Sequence, residues 1–134
     1  MQEETNLLIQ EYAKHPLCNT GMEAPTTFSH EGNFICGDDI TVYLKIENSI
    51  VVEYSYTGNC STITTAAASF LSEFIVGESV DTILTWNYET MLSKGFEVST
   101  RRRRAAVIAI LAARNGIHTY LSDGKEDSFD DLLD

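Results

Sequence analysis

The stretch Asp39-Ile-Thr-Val-Tyr-Leu-Lys-Ile-Glu-Asn-Ser-Ile-Val-Val-Glu-Tyr-Ser-Tyr-Thr57 decides the fold. Its first half sets Ile40, Val42, Leu44 and Ile46 against Thr41, Tyr43 and Lys45. Successive side chains of a strand point to opposite faces, so this alternation predicts a half-buried strand. Glu47, Asn48 and Ser49 supply turn chemistry, and residues 50–57 form a second β-branched and aromatic run. Two strands with so short a connection make an antiparallel hairpin.

Outward from the hairpin the period changes. Residues 61–76 carry Ala66, Ala67, Phe70, Leu71, Phe74 and Ile75 at helical spacing, and Gly77 is a C-terminal stop. Short helices are expected over 80–86, capped by Ser79, and around 88–94, ending at Gly95. A last long helix is expected from about residue 101 to 115, with Ser99 or Thr100 as N-cap and Gly116 as stop. Upstream, residues 6–14 gather Leu7, Leu8, Ile9 and Tyr12 on one side, and Pro16 ends that amphipathic helix. Residues 18–37 show no sustained period and read as irregular, with an edge strand around 26–29. The chain is therefore helix, sheet, then helices.

A chain of 134 residues is the length of one domain, and 43% hydrophobic residues suffice for a core. The longest apolar run, residues 105–113, falls short of the ~20 residues that cross a bilayer. The start, Met1-Gln-Glu-Glu4, is acidic where a signal peptide is basic, so a cytoplasmic location and no membrane association are expected. A net charge of −11 argues against nucleic acid as a partner, since phosphate contacts need a basic surface. Four of the nine basic residues nevertheless stand together as Arg101, Arg102, Arg103 and Arg104. Six acidic residues fall in the last twelve positions, so residues 1–122 read as the domain and 123–134 as a disordered acidic tail. Phe129-Asp-Asp-Leu-Leu133 is a short motif within that tail.

Cys18, Cys36 and Cys60 are an odd number of cysteines without a CxxC pair, which favours free thiols over a disulfide framework. Cys36-Gly-Asp38 immediately precedes the first clear strand, and Gly58-Asn-Cys-Ser61 leaves the second strand and opens a helix. In an antiparallel hairpin the start of one strand lies beside the end of the next, so Cys36, Asp38 and Cys60 are expected to converge. Cys60 precedes a helix, whose N–H groups and dipole are expected to favour its thiolate. Two thiolates and a carboxylate make a partial site for zinc or iron. Taken singly, each cysteine reads equally as a buried structural thiol, and Asp38 as a turn cap. His15, His30 and His118 read as ordinary surface residues, and Tyr43, Tyr54 and Tyr56 as sheet packing.

Tyr12-Ala-Lys-His-Pro16, Cys36-Gly-Asp-Asp39 and Tyr56-Thr-Gly-Asn-Cys-Ser-Thr-Ile-Thr-Thr-Ala-Ala-Ala-Ser-Phe70 resemble the NifU N-terminal, IscU and SufU scaffolds in order, spacing and context. The resemblance covers about residues 7–77, and beyond that only the helix pattern persists. It implies an α+β fold: an N-terminal helix, a three-stranded antiparallel sheet, and C-terminal helices packed on one face. It implies a non-enzymatic scaffold for a transient 2Fe–2S iron–sulfur cluster, or for zinc, that takes sulfur from a cysteine desulfurase and serves client iron–sulfur apoproteins. By that resemblance Cys36 and Cys60 are thiolate ligands, Cys60 is also the sulfur acceptor, and Asp38 is the family's carboxylate.

The departures are equally specific. The family's third cysteine, at the start of the last long helix, is absent, and its position falls on Ser99, Arg102 or Arg104. No guanidinium ligates a metal at neutral pH. A Leu-Pro-Pro-Val-Lys chaperone motif is also missing, and Asn59 replaces a glycine before the second cysteine. Cys18, at the exit of the first helix, is a candidate replacement ligand. Residues 101–104 oppose the helix dipole at ~0.3–1 kcal/mol for each nearby charge. They are expected to border the cluster loop, lower the thiolate pKa values, and contact an anion or an acidic partner. The alternative to a scaffold is a SufE-like sulfur-relay or regulatory protein of the same fold that uses Cys60 without holding a stable cluster.

Overall fold

Asn48 and Ser49 make the turn on which the sheet is built. Both adopt positive φ, 53° and 62°, the backbone that a two-residue hairpin loop needs to match strand twist. They join β2 (Asp38–Glu47) to β3 (Ile50–Asn59) in an antiparallel pair, with a bulge between Lys45 and Ile46. Ile40, Val42, Leu44 and Ile46 are buried and their neighbours are not, as the alternation requires. The computed structural model describes residues 2–33 and 37–133.

A third strand, β1 (Thr27–Asn33), pairs antiparallel with β2, giving the sheet order β1-β2-β3. It runs well beyond the expected 26–29, to Asn33 opposite Asp38. Its pattern was inverted for a sequence reading. Thr27 and Asn33 are buried while Phe28 is exposed on the other face. The polar face meets polar partners: the Thr27 hydroxyl donates to the Gly116 carbonyl at 2.8 Å, and Glu31 accepts from the Asn115 amide at 2.9 Å.

The helices follow as α1 (Gln2–Lys14), α2 (Thr62–Ile75), α3 (Val80–Ile83), α4 (Tyr88–Ser93), α5 (Arg103–Leu121) and α6 (Phe129–Leu133). A 3-10 turn, Thr100–Arg102, leads into α5. The long helix α5 lies on β1 and β2, α2 packs on α5 and β3, and α1 covers α2. Alanines make the close approach possible: Ala66, Ala67 and Ala68 on α2, with Ala105, Ala106, Ala109, Ala112 and Ala113 on α5, are all buried. Leu71, Ile108, Ile110 and Leu111 fill the space between. The fold is α+β with its helices on one face of an antiparallel sheet.

Gly116 does not stop the last helix, which continues to Leu121 and ends on Ser122 in the left-handed conformation. A Cβ on Gly116 would stand 3.5 Å from Thr27 Cγ2 and 3.7 Å from Ser29 Cβ, so here the glycine faces the sheet. Packing outweighs the ~1 kcal/mol that an interior helical glycine costs relative to alanine.

The expectation of a disordered tail over 123–134 differs from the structure, in which residues 123–133 fold back onto α5. Leu132 of α6 is buried, and Phe129 lies under the Arg104 guanidinium, 5.0 Å from ring centroid to Cζ. Three α5 side chains hold the segment. Arg114 Nε donates to Asp127 Oδ2 at 2.8 Å, and His118 contacts Asp123 at 2.7 Å and Asp127 at 2.9 Å. Asn115 bonds both the N–H and the carbonyl of Asp127. Acidic composition reads as disorder only when no cationic groups receive it.

Candidate functional site

The site is where β2 begins and β3 ends. Asp39 faces Asn59 and Ile40 faces Gly58 in the ladder. At Gly58, φ is +144°, and a Cβ there would stand 2.1 Å from the Asp39 carbonyl oxygen and 2.8 Å from Ile40 Cα. Only glycine lets the two strands approach this closely. The chain then turns through Asn59 and Cys60 into α2, whose N-cap is Ser61.

Asp38 is 4% exposed, and three donors from the start of α2 converge on it. The Ser61 N–H donates to Oδ1. The Ser61 hydroxyl contacts Oδ2 at 3.2 Å, and the Thr64 hydroxyl donates to Oδ2 at 2.6 Å. The first turn of α2 has no acidic residue of its own, so Asp38 brings the negative charge that a helix N-terminus favours. A carboxylate on β2 thus caps a helix that begins 24 residues later, beside the candidate thiol.

Cys60 is half-buried, and its thiol donates to the Asp39 carbonyl at 3.5 Å. Burial, then the charges of Asp38 and Asp39, push this thiol up to about 11. The expectation that the helix terminus would favour the thiolate, and that the arginine run would lower its pKa, is corrected here. The helix end is already occupied by the Asp38 carboxylate, and the charges acting on the sulfur are negative. Thiolate, not thiol, is the nucleophile, so alkylation follows the ionised fraction. The Cys60 alkylation rate should keep rising above pH 10, where an unperturbed thiol of pKa ~8.5 has levelled off. Residue-resolved mass spectrometry after timed labelling measures this, and a rate half-maximal near pH 8.5 and flat above pH 10 would contradict the site geometry.

Cys36 lies outside the described residues. Among the described residues no group of three or more His, Cys, Asp or Glu side chains is placed to hold a metal, and those brought together are Asp38 and Cys60. Cys18 is exposed, in a left-handed conformation, and its carbonyl accepts the Tyr56 N–H at 3.0 Å. The segment that carries it thus lies along β3, the strand that ends one residue before Cys60. Tyr56 is 1% exposed, and burial followed by the Cys60 and Cys18 sulfurs raises its hydroxyl to about 12. Tyr54 is a packing residue whose hydroxyl donates to the Ala68 carbonyl. His15 is exposed, and His30 forms an exposed pair with Asp39 at 3.4 Å.

The four arginines divide in two. Arg101 and Arg102 are exposed in the 3-10 turn, whereas Arg103 lies over the Tyr88 ring at 4.7 Å and Arg104 over Phe129. Such stacking contributes roughly 0.5–2 kcal/mol and explains two charges at an otherwise unfavourable helix start. Arg104 also lines a cavity of about 360 Å³ with Gly32 and Asn33 at the end of β1 and Phe129 of α6. Ser99 is exposed and makes no side-chain cap.

Sequence reasoning missed two residues, one in the site and one beneath the C-terminal segment. Local pattern marks Thr64 only as part of a small-residue helix, and His118 as a surface histidine after the last helix. His118 instead lies within α5, 6% exposed, with a carboxylate at each ring nitrogen. The signal for Thr64 was a hydroxyl three residues after an N-cap serine. Nothing local pointed to Asp38 as its partner.

Comparison with known proteins places these features in context. Residues 4–127 match the family model described as the NifU-like N terminal domain. Over 77 residues the chain is 34% identical to the iron–sulfur cluster assembly scaffold protein IscU of Thermotoga maritima. That alignment takes in 58% of this chain and spans about half, 54%, of the relative's length. The crystal structure of a nitrogen-fixing NifU-like protein (N-terminal) from Brucella abortus superposes with a TM-score of 0.74 at 16% identity, covering 87% of this chain and 94% of that one. A putative scaffold protein for the SUF system from Fervidobacterium islandicum gives 0.68 at 18% identity, covering 82% and 93%. At such identities the two structures speak to the fold alone.

Proposed function

Since this chain belongs to the NifU-like N-terminal domain family, we propose that it is an iron–sulfur cluster assembly scaffold working through Cys36, Asp38 and Cys60. The observation that carries this reading is the junction of Asp38 with the turn that presents Cys60, made by the Ser61 N–H. A carboxylate and a half-buried thiol held at one strand end supply part of a ligand set for iron or zinc. Sulfur would come from a cysteine desulfurase, and the assembled 2Fe–2S cluster would leave for client apoproteins. Cluster and metal are cargo here.

The raised thiol fits that role. Before iron or zinc arrives, Cys60 keeps its proton at neutral pH. An arriving metal ion supplies the positive charge that offsets Asp38 and Asp39, and ligation releases the proton. Arg101 and Arg102, exposed at the start of the last helix, are the groups assigned to an acidic partner surface. Among the described residues no helix is long and apolar enough to cross a membrane.

Anaerobic reconstitution with iron and sulfide, followed by visible absorption, tests the scaffold. Wild type should develop charge-transfer bands, Cys36→Ser and Cys60→Ser should lose at least nine-tenths of them, and Cys18→Ser should keep most. Loss in Cys18→Ser as severe as in Cys60→Ser would make Cys18 a ligand and redraw the site. A second reading rests on the missing third cysteine, whose segment is occupied by Arg103 and Arg104 in aromatic stacking. On that reading Cys60 alone accepts persulfide sulfur and relays it. Persulfide on Cys60 without absorption bands after reconstitution would favour it.

A further inference from the structure

We propose that Thr64 is a positioning residue that holds the Asp38 carboxylate away from the cargo metal, making the Asp38 clamp and Asp38 ligation mutually exclusive. This rests on the scaffold reading above. Both carboxylate oxygens are taken, Oδ1 by the Ser61 N–H and Oδ2 by the Ser61 and Thr64 hydroxyls. Thr64 is fully buried and Asp38 nearly so, leaving no open side from which a metal could approach without moving the carboxylate. Of the three contacts on Asp38, the Thr64 bond at 2.6 Å is the one made by a fully buried hydroxyl.

That hydroxyl stands in the first turn of α2, 3.2 Å from the Ser61 hydroxyl. A threonine inside a helix ordinarily satisfies its hydroxyl on the carbonyl one turn back. Thr64 instead reaches out of α2 to a different element of the fold. Its own N–H is held by the Ser61 side chain at 3.4 Å, so the first turn of α2, the Ser61 cap and Asp38 form one closed network. Cys60 is the residue immediately before that network. When Asp38 swings to a metal beside Cys60, the network must open and the first turn of α2 loses its charge partner. When the clamp recaptures Asp38, the metal loses a ligand. The same three bonds that oppose loading therefore favour release, a useful property in a site that must give its cargo away.

Zinc ion alone serves as the probe, with affinity measured by chelator competition and backbone opening by amide hydrogen exchange. Thr64→Val removes the hydroxyl at constant shape and should tighten zinc binding about tenfold, equivalent to ~1.4 kcal/mol, while lowering the melting temperature of the free protein. Thr64→Ser retains the hydroxyl and should bind zinc as wild type does. In wild type, saturating zinc should speed exchange of the Ser61 amide. Unchanged or weaker zinc binding by Thr64→Val, or a Ser61 amide equally or better protected with zinc bound, overturns the proposal. The amide measurement needs no variant, so it decides even if Thr64→Val folds poorly. Zinc binding by wild type that is lost in Cys60→Ser but unaltered in Thr64→Val would overturn the clamp alone. No zinc binding by wild type would overturn both the clamp and the scaffold reading.

Discussion

Replacing Gly58 with alanine should cost about 3–4 kcal/mol and lower the melting temperature by roughly 10 °C or more. The new Cβ would fall 2.1 Å from the Asp39 carbonyl oxygen and 2.8 Å from Ile40 Cα, both backbone atoms of the neighbouring strand. No rotamer change can relieve a contact between a Cβ and a backbone. Either β3 moves away from β2 at its end, or the chain leaves its φ of +144°. Both movements pull Cys60 away from Asp38, so the variant should also lose metal retention at temperatures where it is still folded. Gly77→Ala is the control. Gly77 has φ +96° but no described atom within 4 Å of its would-be Cβ, so it bears the left-handed penalty of ~1–2 kcal/mol without the clash. Thermal melts of the two variants decide the matter, and equal losses would mean that the close approach of the strands at Gly58 is not what the glycine serves.

Asp127→Ala should destabilise the protein by about 3 kcal/mol, the lower end of what breaking a buried ion pair costs. One carboxylate oxygen receives both Arg114 Nε and His118 Nε2, and the three side chains are only 12%, 15% and 7% exposed for Arg114, Asp127 and His118. Removing it strands a guanidinium and an imidazole in a site built for charge. The consequence should be local first: α6 leaves, Leu132 is uncovered, and residues 123–133 become sensitive to limited proteolysis. Asp130→Ala, at an exposed position on the same segment, should change stability by less than ~0.5 kcal/mol. Acid should act in the same direction. Asp123 is held below the usual carboxylate range, first by the Lys125 N–H and then by the His118 side chain. Its support of the docked segment is therefore complete above the ordinary carboxyl pKa and lost as pH falls through the depressed value. A tail cleaved as fast in wild type as in Asp127→Ala would restore the disordered reading of its composition.

What the chain carries in local pattern was legible from residues alone. The alternation of Ile40, Val42, Leu44 and Ile46 and the turn at Asn48 and Ser49 determined the central hairpin, because strand faces repeat every two residues. Ser79 and Gly77 marked helix ends through cap chemistry that acts within a few residues. The junction of Asp38 with the Cys60 turn followed from antiparallel geometry. Features that rest on distant partners which no hairpin geometry sets together had to await the tertiary structure. Thr27 and Glu31 of β1 are polar, not apolar, because α5 offers them the Gly116 carbonyl and the Asn115 amide. The helix runs through Gly116 because the sheet packs there, and the acidic segment 123–133 folds back where Arg114 and His118 receive Asp127 and Asp123. At Cys60 the helix terminus argued locally for a thiolate, yet burial of the sulfur, and then the charges of Asp38 (brought from 22 residues upstream to occupy that terminus) and Asp39, push the thiol up. Propensity and periodicity act along the chain. The charge felt by a sulfur, and the partner taken by a buried hydroxyl, depend on which groups the fold sets beside it in space.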